Sequence, residues 1–278
     1  MTGKLVKYEF RSSFKLMAVL WAALIVSSCL FSFSSNVLDT TLSGNDPSKG
    51  AQLVSSMIGT ATGFLFFLAM MAMVVITIII IIMRFYNGLF GSEGYLMNTL
   101  PVKPWQLVTS KGIVAGVLVL ADAVLAVASI LILGGMTSMH DMGQMFSELG
   151  SALAKRPVLI LMAAELFVLL ITGILKSIYQ VYASIAIGQL VNKYRLLLSL
   201  GAYIGINIAL TVIAVAVMVI LQFTDVSEIT VGMLSGNVDK VLGASQWFML
   251  VAFVLNMLQL AAFHVVTERL MTLKLNLQ

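Results

Sequence analysis

Thr62–Met83 reads TGFLFFLAMMAMVVITIIIIIM and contains no charged residue. A helix needs about 20 apolar residues to cross the hydrocarbon core of a bilayer, and this stretch supplies them without a break. It lacks the polar–apolar alternation of a membrane barrel. Five further stretches on either side have the same character: Leu16–Phe33, Gly112–Gly134, Val158–Lys176, Leu196–Leu221 and Trp247–Val266. They predict an all-α, polytopic membrane protein with six transmembrane helices, residues 1–278 forming a single transmembrane domain.

Composition excludes the other broad classes. Hydrophobic residues make up 60% of the 278, charged residues 10%, and mean hydropathy is +1.04. An ordinary soluble chain is about 45–50% apolar and about 25% charged. A soluble fold of this length has no interior large enough for so much apolar surface, and disorder requires the opposite composition. The sequence pI is about 9.2, yet the net charge is only +4. The cations are spread along the chain rather than clustered, so no nucleic-acid partner is expected. Cys29 is the one cysteine; it cannot form an internal disulfide and is expected to be a small core residue of the first span. Pro157 falls where the fourth span begins, a position that tolerates its missing N–H.

Lysine and arginine set the orientation, since cytoplasmic loops carry the excess. With the N-terminus inside, eleven cations are cytoplasmic: Lys4, Lys7, Arg11, Lys15, Arg84, Lys103, Lys111, Lys193, Arg195, Arg269 and Lys274. Four are outside, namely Lys49, Lys155, Arg156 and Lys240, and Lys176 sits at a span end. Both termini are therefore expected in the cytoplasm. The outer loops, Ser34–Ala61, Gly135–Pro157 and Gln222–Gln246, are too short for a separate substrate-capturing domain.

Two cytoplasmic pieces are informative. In residues 1–15, Lys4, Lys7, Arg11 and Lys15 form a basic stripe and Val6, Phe10 and Phe14 an apolar one. That pattern predicts an N-terminal amphipathic helix lying in the interface, its cations near anionic membrane lipid. Residues 84–111 form a long connection rich in apolar and aromatic groups: Phe85, Tyr86, Phe90, Tyr95, Leu96, Met97, Leu100 and Trp105. At this density such groups need either a docked partner or the membrane surface to cover them. Pro101 and Pro104 interrupt the helix, and the chain returns to the membrane at Trp105.

Several strings here resemble the permease subunits of bacterial type-2 ATP-binding-cassette (ABC) exporters. They are Lys4-Leu-Val-Lys-Tyr-Glu-Phe-Arg11, Arg84-Phe-Tyr, Glu93-Gly-Tyr-Leu-Met97 with Thr99-Leu-Pro-Val102, Ser110-Lys111, and Ser184-Ile-Ala-Ile-Gly-Gln-Leu190. The string Glu93–Met97 with Thr99–Val102 is the sharpest, and is similar to permeases of Gram-positive bacteria related to bacteriocin and lantibiotic self-protection exporters. The resemblance implies a multi-pass protein of the bacterial cytoplasmic membrane, with no cofactor in this chain. ATP and Mg are bound by separate ABC ATPase subunits, and a second permease chain, identical or homologous, completes the pathway. It also implies a coupling helix seated on the ATPase, carried here by Glu93, Gly94, Tyr95, Leu96 and Pro101. Glu93 would pair with a basic group, and Tyr95 and Leu96 would anchor the contact.

Apolar character in the fourth span runs on from Val158 to Val191, interrupted by Lys176. One reading ends the crossing near Lys176, whose ammonium reaches the headgroups, and continues as an amphipathic segment. Gln180, Ser184 and Gln189 then offer a second cytoplasmic contact. The other reading is one long tilted helix. Asp122 and Glu165 lie within the third and fourth spans. A carboxylate there must be paired, neutral or hydrated, so each either lines a pathway for a cationic or peptide substrate or bonds to another helix. Gly201 and Gly205 form a G-x-x-x-G that permits close helix approach, within the chain or between two chains.

No G-x-x-x-x-G-K-[ST] is present, so no phosphate-binding loop of that kind is expected and the chain is read as a non-enzyme. Ser245 and His264 lie about five turns apart on one helix, too far for a serine protease pair. The competing class is a secondary transporter or channel working through Asp122 and Glu165.

Overall fold

The computed structural model describes residues 2–42, 49–91, 104–133, 139–155, 157–191, 193–222 and 238–274. Seven helices run through them: α1 Thr2–Leu42, α2 Lys49–Leu89, α3 Pro104–Leu133, α4 Met139–Lys155, α5 Pro157–Gly188, α6 Arg195–Gln222 and α7 Val238–Lys274. No strand occurs among the described residues. All but α4 are long and apolar enough to cross a membrane. The chain is thus an all-helical, multi-pass membrane protein. Helices suit that setting because every interior backbone N–H and C=O finds its partner inside the element.

The helices outrun the spans expected from hydropathy. At about 1.5 Å per residue, α1 and α2 are each about 60 Å long, twice the about 30 Å of hydrocarbon. α1 is unbroken from Thr2 to Leu42, so the segment expected as an interfacial helix is continuous with the first span. α2 carries Arg84–Leu89 as its last turns and α3 begins at Pro104. The connection expected over 84–111 therefore narrows to the residues between Gly91 and Pro104. α5 passes through Lys176 without interruption and ends at Gly188, as one long helix rather than a crossing with a separate tail. α4 was expected as loop. Its signal is short and amphipathic: Met145, Phe146 and Leu153 share one face, and Gln144 and Ser151 lie on the opposite one.

The chain divides into two compact units, one built from Gly3–Arg84 with Val117–Ala152, the other from Phe85–Gly116 with Leu153–Gln278. In the first, α1 buries Ser13, Met17, Leu24, Ser28 and Ser32, at steps of four or seven residues that keep them on one face. Lys4, Lys7, Arg11 and Lys15 are all exposed. The serines tolerate apolar surroundings because each hydroxyl can bond the preceding turn, as Ser27 does to Leu24 O at 2.9 Å and Ser28 to Ile25 O at 2.8 Å. Cys29, expected in the core, is exposed, one position beyond that face. In the second unit, α5 packs along α7 and against α6. The buried residues concentrate in the last turns of α5, while the span of α6 buries none of its residues. Apolar faces left open in a membrane protein meet lipid or another chain without penalty.

Candidate functional site

Asp122 is the most constrained polar group of the first unit. It projects from α3 with 7% of its surface exposed. Trp21 Nε1 on α1 donates to its Oδ1 at 2.6 Å, and Thr77 Oγ1 on α2 donates to its Oδ2 at 2.6 Å. Met17 Sδ lies 3.7 Å from the same threonine hydroxyl. Three apolar helices thus meet at one carboxylate, and each oxygen has a donor. A buried acid satisfied in this way orders helices, because separating them leaves an unpaired carboxyl group and a bare N–H in hydrocarbon.

The second unit holds a cluster beside the segment 92–103. α2 closes with the N–H groups of Phe90 and Gly91 donating to Tyr86 O at 2.8 and 3.0 Å. Just before that, Phe85 is fully buried and stacks on Tyr182 of α5, ring centroids 3.8 Å apart at 7°. Tyr182 meets Tyr179 edge-on at 5.8 Å, and Tyr179 meets His264 of α7 edge-on at 5.2 Å. From α3, Thr109 hydrogen-bonds the side chain of Tyr179. The Tyr179 ring also lies so close to Gly112 that a Cβ there would sit 2.5 Å from Tyr179 Oη. Lys111 is buried, its ammonium lying against Gly88, where the last carbonyls of α2 lack helical partners and favour a cation. Both stems of the 92–103 segment, Phe85–Gly91 and Pro104–Gly112, therefore pack into one cluster with the ends of α5 and α7. Aromatic pairs of this kind contribute about 0.5–1.5 kcal/mol each beyond their area burial.

Glu165 is unlike Asp122. Its Oε2 is buried without a hydrogen-bond partner among the described residues. It borders a cavity of about 300 Å³ between α5 and α7, lined by Val168, Leu169, Met249, Leu250 and Phe253.

Of the residues expected to function, Glu93, Gly94, Tyr95, Leu96 and Pro101 lie outside the described residues. The contact surface expected of Gln180 and Ser184 meets a different setting: they are 4% and 3% exposed. Ser184 donates to Val181 O at 2.7 Å, and Gln189 is half-buried. The side chains of Gln180 and Ser184 point into their own unit, because Tyr179, Tyr182 and Ala183 bring that stretch of α5 into the core. Phe85, expected on an open surface, is likewise core. Lys176 is half-buried in mid-helix. A Cβ at Gly201 or Gly205 would meet nothing within 4 Å, so among the described residues no helix packs on that pair. Sequence reading passed over Trp21, Thr77, Tyr179 and Tyr182. Trp21 carried a usable signal, since an indole N–H inside a span needs an acceptor and Asp122 is one of few within the spans. Comparison with family models, curated proteins and solved structures returns no match.

Proposed function

We propose that the chain is the permease subunit of a bacterial type-2 ABC exporter. Both termini face the cytoplasm, the segment 92–103 docks on a separate ABC ATPase, and two permease chains form the pathway. The observation that carries this is that both stems of that segment pack on α5, Phe85 on Tyr182 and Gly112 on Tyr179, with Lys111 set against Gly88 between the stems and Tyr179 meeting His264 of α7. A passive loop has no need of stems built into the core, whereas a lever does. The resemblance of Glu93–Met97 and Thr99–Val102 to exporter coupling loops supplies the partner. ATP and Mg then belong to the ATPase, and its closure moves the segment and with it the ends of α5 and α7. The open glycine pair of α6 is the proposed approach for the second permease chain. The substrate class is a peptide, lipid-like or drug-like amphiphile.

Mild-detergent purification of the tagged chain, followed by mass spectrometry, tests this. A stoichiometric ATPase is expected to stay bound. Glu93→Lys or Tyr95→Ala should release it while leaving membrane insertion intact. A chain that purifies alone, even in lipid nanodiscs, overturns the reading in favour of a secondary transporter or channel. That alternative draws its own support from the unpartnered carboxylate oxygen of Glu165.

A further inference from the structure

The cavity beside Glu165 has three properties that together select a ligand. First, its walls are apolar except for one carboxylate: Val168 and Leu169 from α5, Met249, Leu250 and Phe253 from α7. Second, one oxygen of that carboxylate is unsatisfied. Glu165 Oε2 is buried and has no hydrogen-bond partner among the described residues, and an acceptor left bare in apolar surroundings is costly. Lys176, the other charge within the span of α5, is eleven residues along the helix, about 16 Å by helix rise, beyond the reach of its side chain. Third, the cavity lies between two candidate membrane spans. Glu165 is eight residues from the start of α5 at Pro157, about 12 Å along the axis. Met249–Phe253 fall in the first turns of the α7 span, Ser245–Thr272. Val168 and Leu250 on its wall are themselves exposed, so the cavity opens sideways, toward lipid tails.

We infer that this cavity binds the ammonium headgroup of an amphiphile, with the adjoining alkyl chain lying along α7. An ammonium donates the hydrogen bond that Oε2 lacks and supplies the opposite charge. An apolar tail covers Leu250 and Phe253 and continues into the membrane. A head whose only charged group is a carboxylate or phosphate is excluded by like charge, whereas a zwitterion can present its ammonium. A cavity of about 300 Å³ sits at the small end for ligand sites, which fits one headgroup with a short length of chain and not a folded peptide. The inference deepens the exporter reading by naming the substrate class, and rests on that reading only for what happens after binding. The ammonium can come from an aminophospholipid or from a free alkylamine, and the two are distinguished below.

The test is saturable binding of radiolabelled decylammonium to the full chain in phosphatidylcholine nanodiscs, with empty nanodiscs as background and decanol as the uncharged competitor. Binding is expected to fall at least about tenfold in Glu165→Gln, a conservative figure for removing one partner of a largely desolvated charge pair. Glu165→Asp should retain part of it, and decanol should not compete. Leu169→Trp keeps the carboxylate but fills the cavity, and should also abolish binding, so the inference stays testable if Glu165→Gln fails to fold. Equal binding by wild type and either variant overturns it. Competition by phosphatidylethanolamine added to the nanodiscs identifies a lipid as the occupant, and absence of that competition identifies a free amine. Because the chain is assayed without an ATPase, binding that persists when no ATPase co-purifies overturns only the exporter reading. Loss of binding with the ATPase present overturns only the site.

Discussion

Asp122 and Glu165 are the same kind of side chain inside the same kind of helix and meet opposite fates. Asp122 has a donor on each oxygen, from Trp21 and Thr77, whereas Glu165 has a bare one. The first arrangement is expected to show up in stability. In a double-mutant cycle of Trp21→Phe with Asp122→Asn, followed by thermal unfolding in detergent, the coupling should be about 0.6–1.7 kcal/mol, from the average to the maximum seen for hydrogen bonds between membrane helices. Independent, additive effects would remove Asp122 as the joint of the first unit. Gly112 gives a second expectation at this scale. A methyl group there meets the Tyr179 ring at 2.5–3.1 Å, and the ring is held by Tyr182 and His264. Gly112→Ala should therefore cost about 1–3 kcal/mol by overpacking, read as a lowered Tm. Tyr179→Phe should restore part of that loss, because it removes the nearest atom.

Among the elements, α4 is the one that hydropathy passes over. Its seventeen residues are too few and too polar to span, and its apolar face is a stripe rather than a run. Phe146 is 58% exposed, which suits a helix whose stripe meets lipid at the membrane surface. Spin labels placed singly at positions 146 and 151, in a Cys29→Ser background because Cys29 is exposed, should differ sharply. The label at 146 should be accessible to oxygen dissolved in lipid, the one at 151 to a water-soluble quencher. Equal exposure of both to water would mean that α4 stands off the membrane. α5 teaches the reverse lesson. Its continuous apolar run from Val158 to Val191 left open one crossing with a tail or one long helix, and the helix is single because nothing in its interior, Lys176 included, breaks backbone hydrogen bonding.

For the molecule as a machine, the cluster around Phe85 and Tyr182 makes a prediction distinct from docking. Phe85→Leu preserves an apolar core but removes the stacked ring. In the exporter reading, it should leave the ATPase bound and its basal hydrolysis intact while lowering substrate-stimulated hydrolysis several-fold, a loss equivalent to the roughly 0.5–1.5 kcal/mol of an aromatic pair. Loss of the ATPase itself would assign Phe85 to docking instead. Unchanged stimulation would remove the cluster from the coupling route.

The division between what was legible in the chain and what was not follows from the range of each interaction. Whether a stretch such as Thr62–Met83 is a membrane helix depends on a sum over its own residues and on hydrogen bonds that close within the stretch. The sequence by itself therefore determined the helical class, the six spans, and helix starts at Pro104 and Pro157. Where the helices end was less legible, because turns beyond the hydrocarbon are stabilised by packing: Phe85, Gly88 and Leu89 and nearly all of Ile178–Ala186 are buried in helix, although these residue types also suit a docking loop and an amphipathic tail. Which oxygen finds which donor was not legible at all. Trp21 and Asp122 are 101 residues apart, Phe85 and Tyr182 nearly as far, and only tertiary packing decides that these pairs meet. It also decides that Glu165 Oε2 meets no donor among the described residues, since an unsatisfied group is defined by everything that fails to reach it.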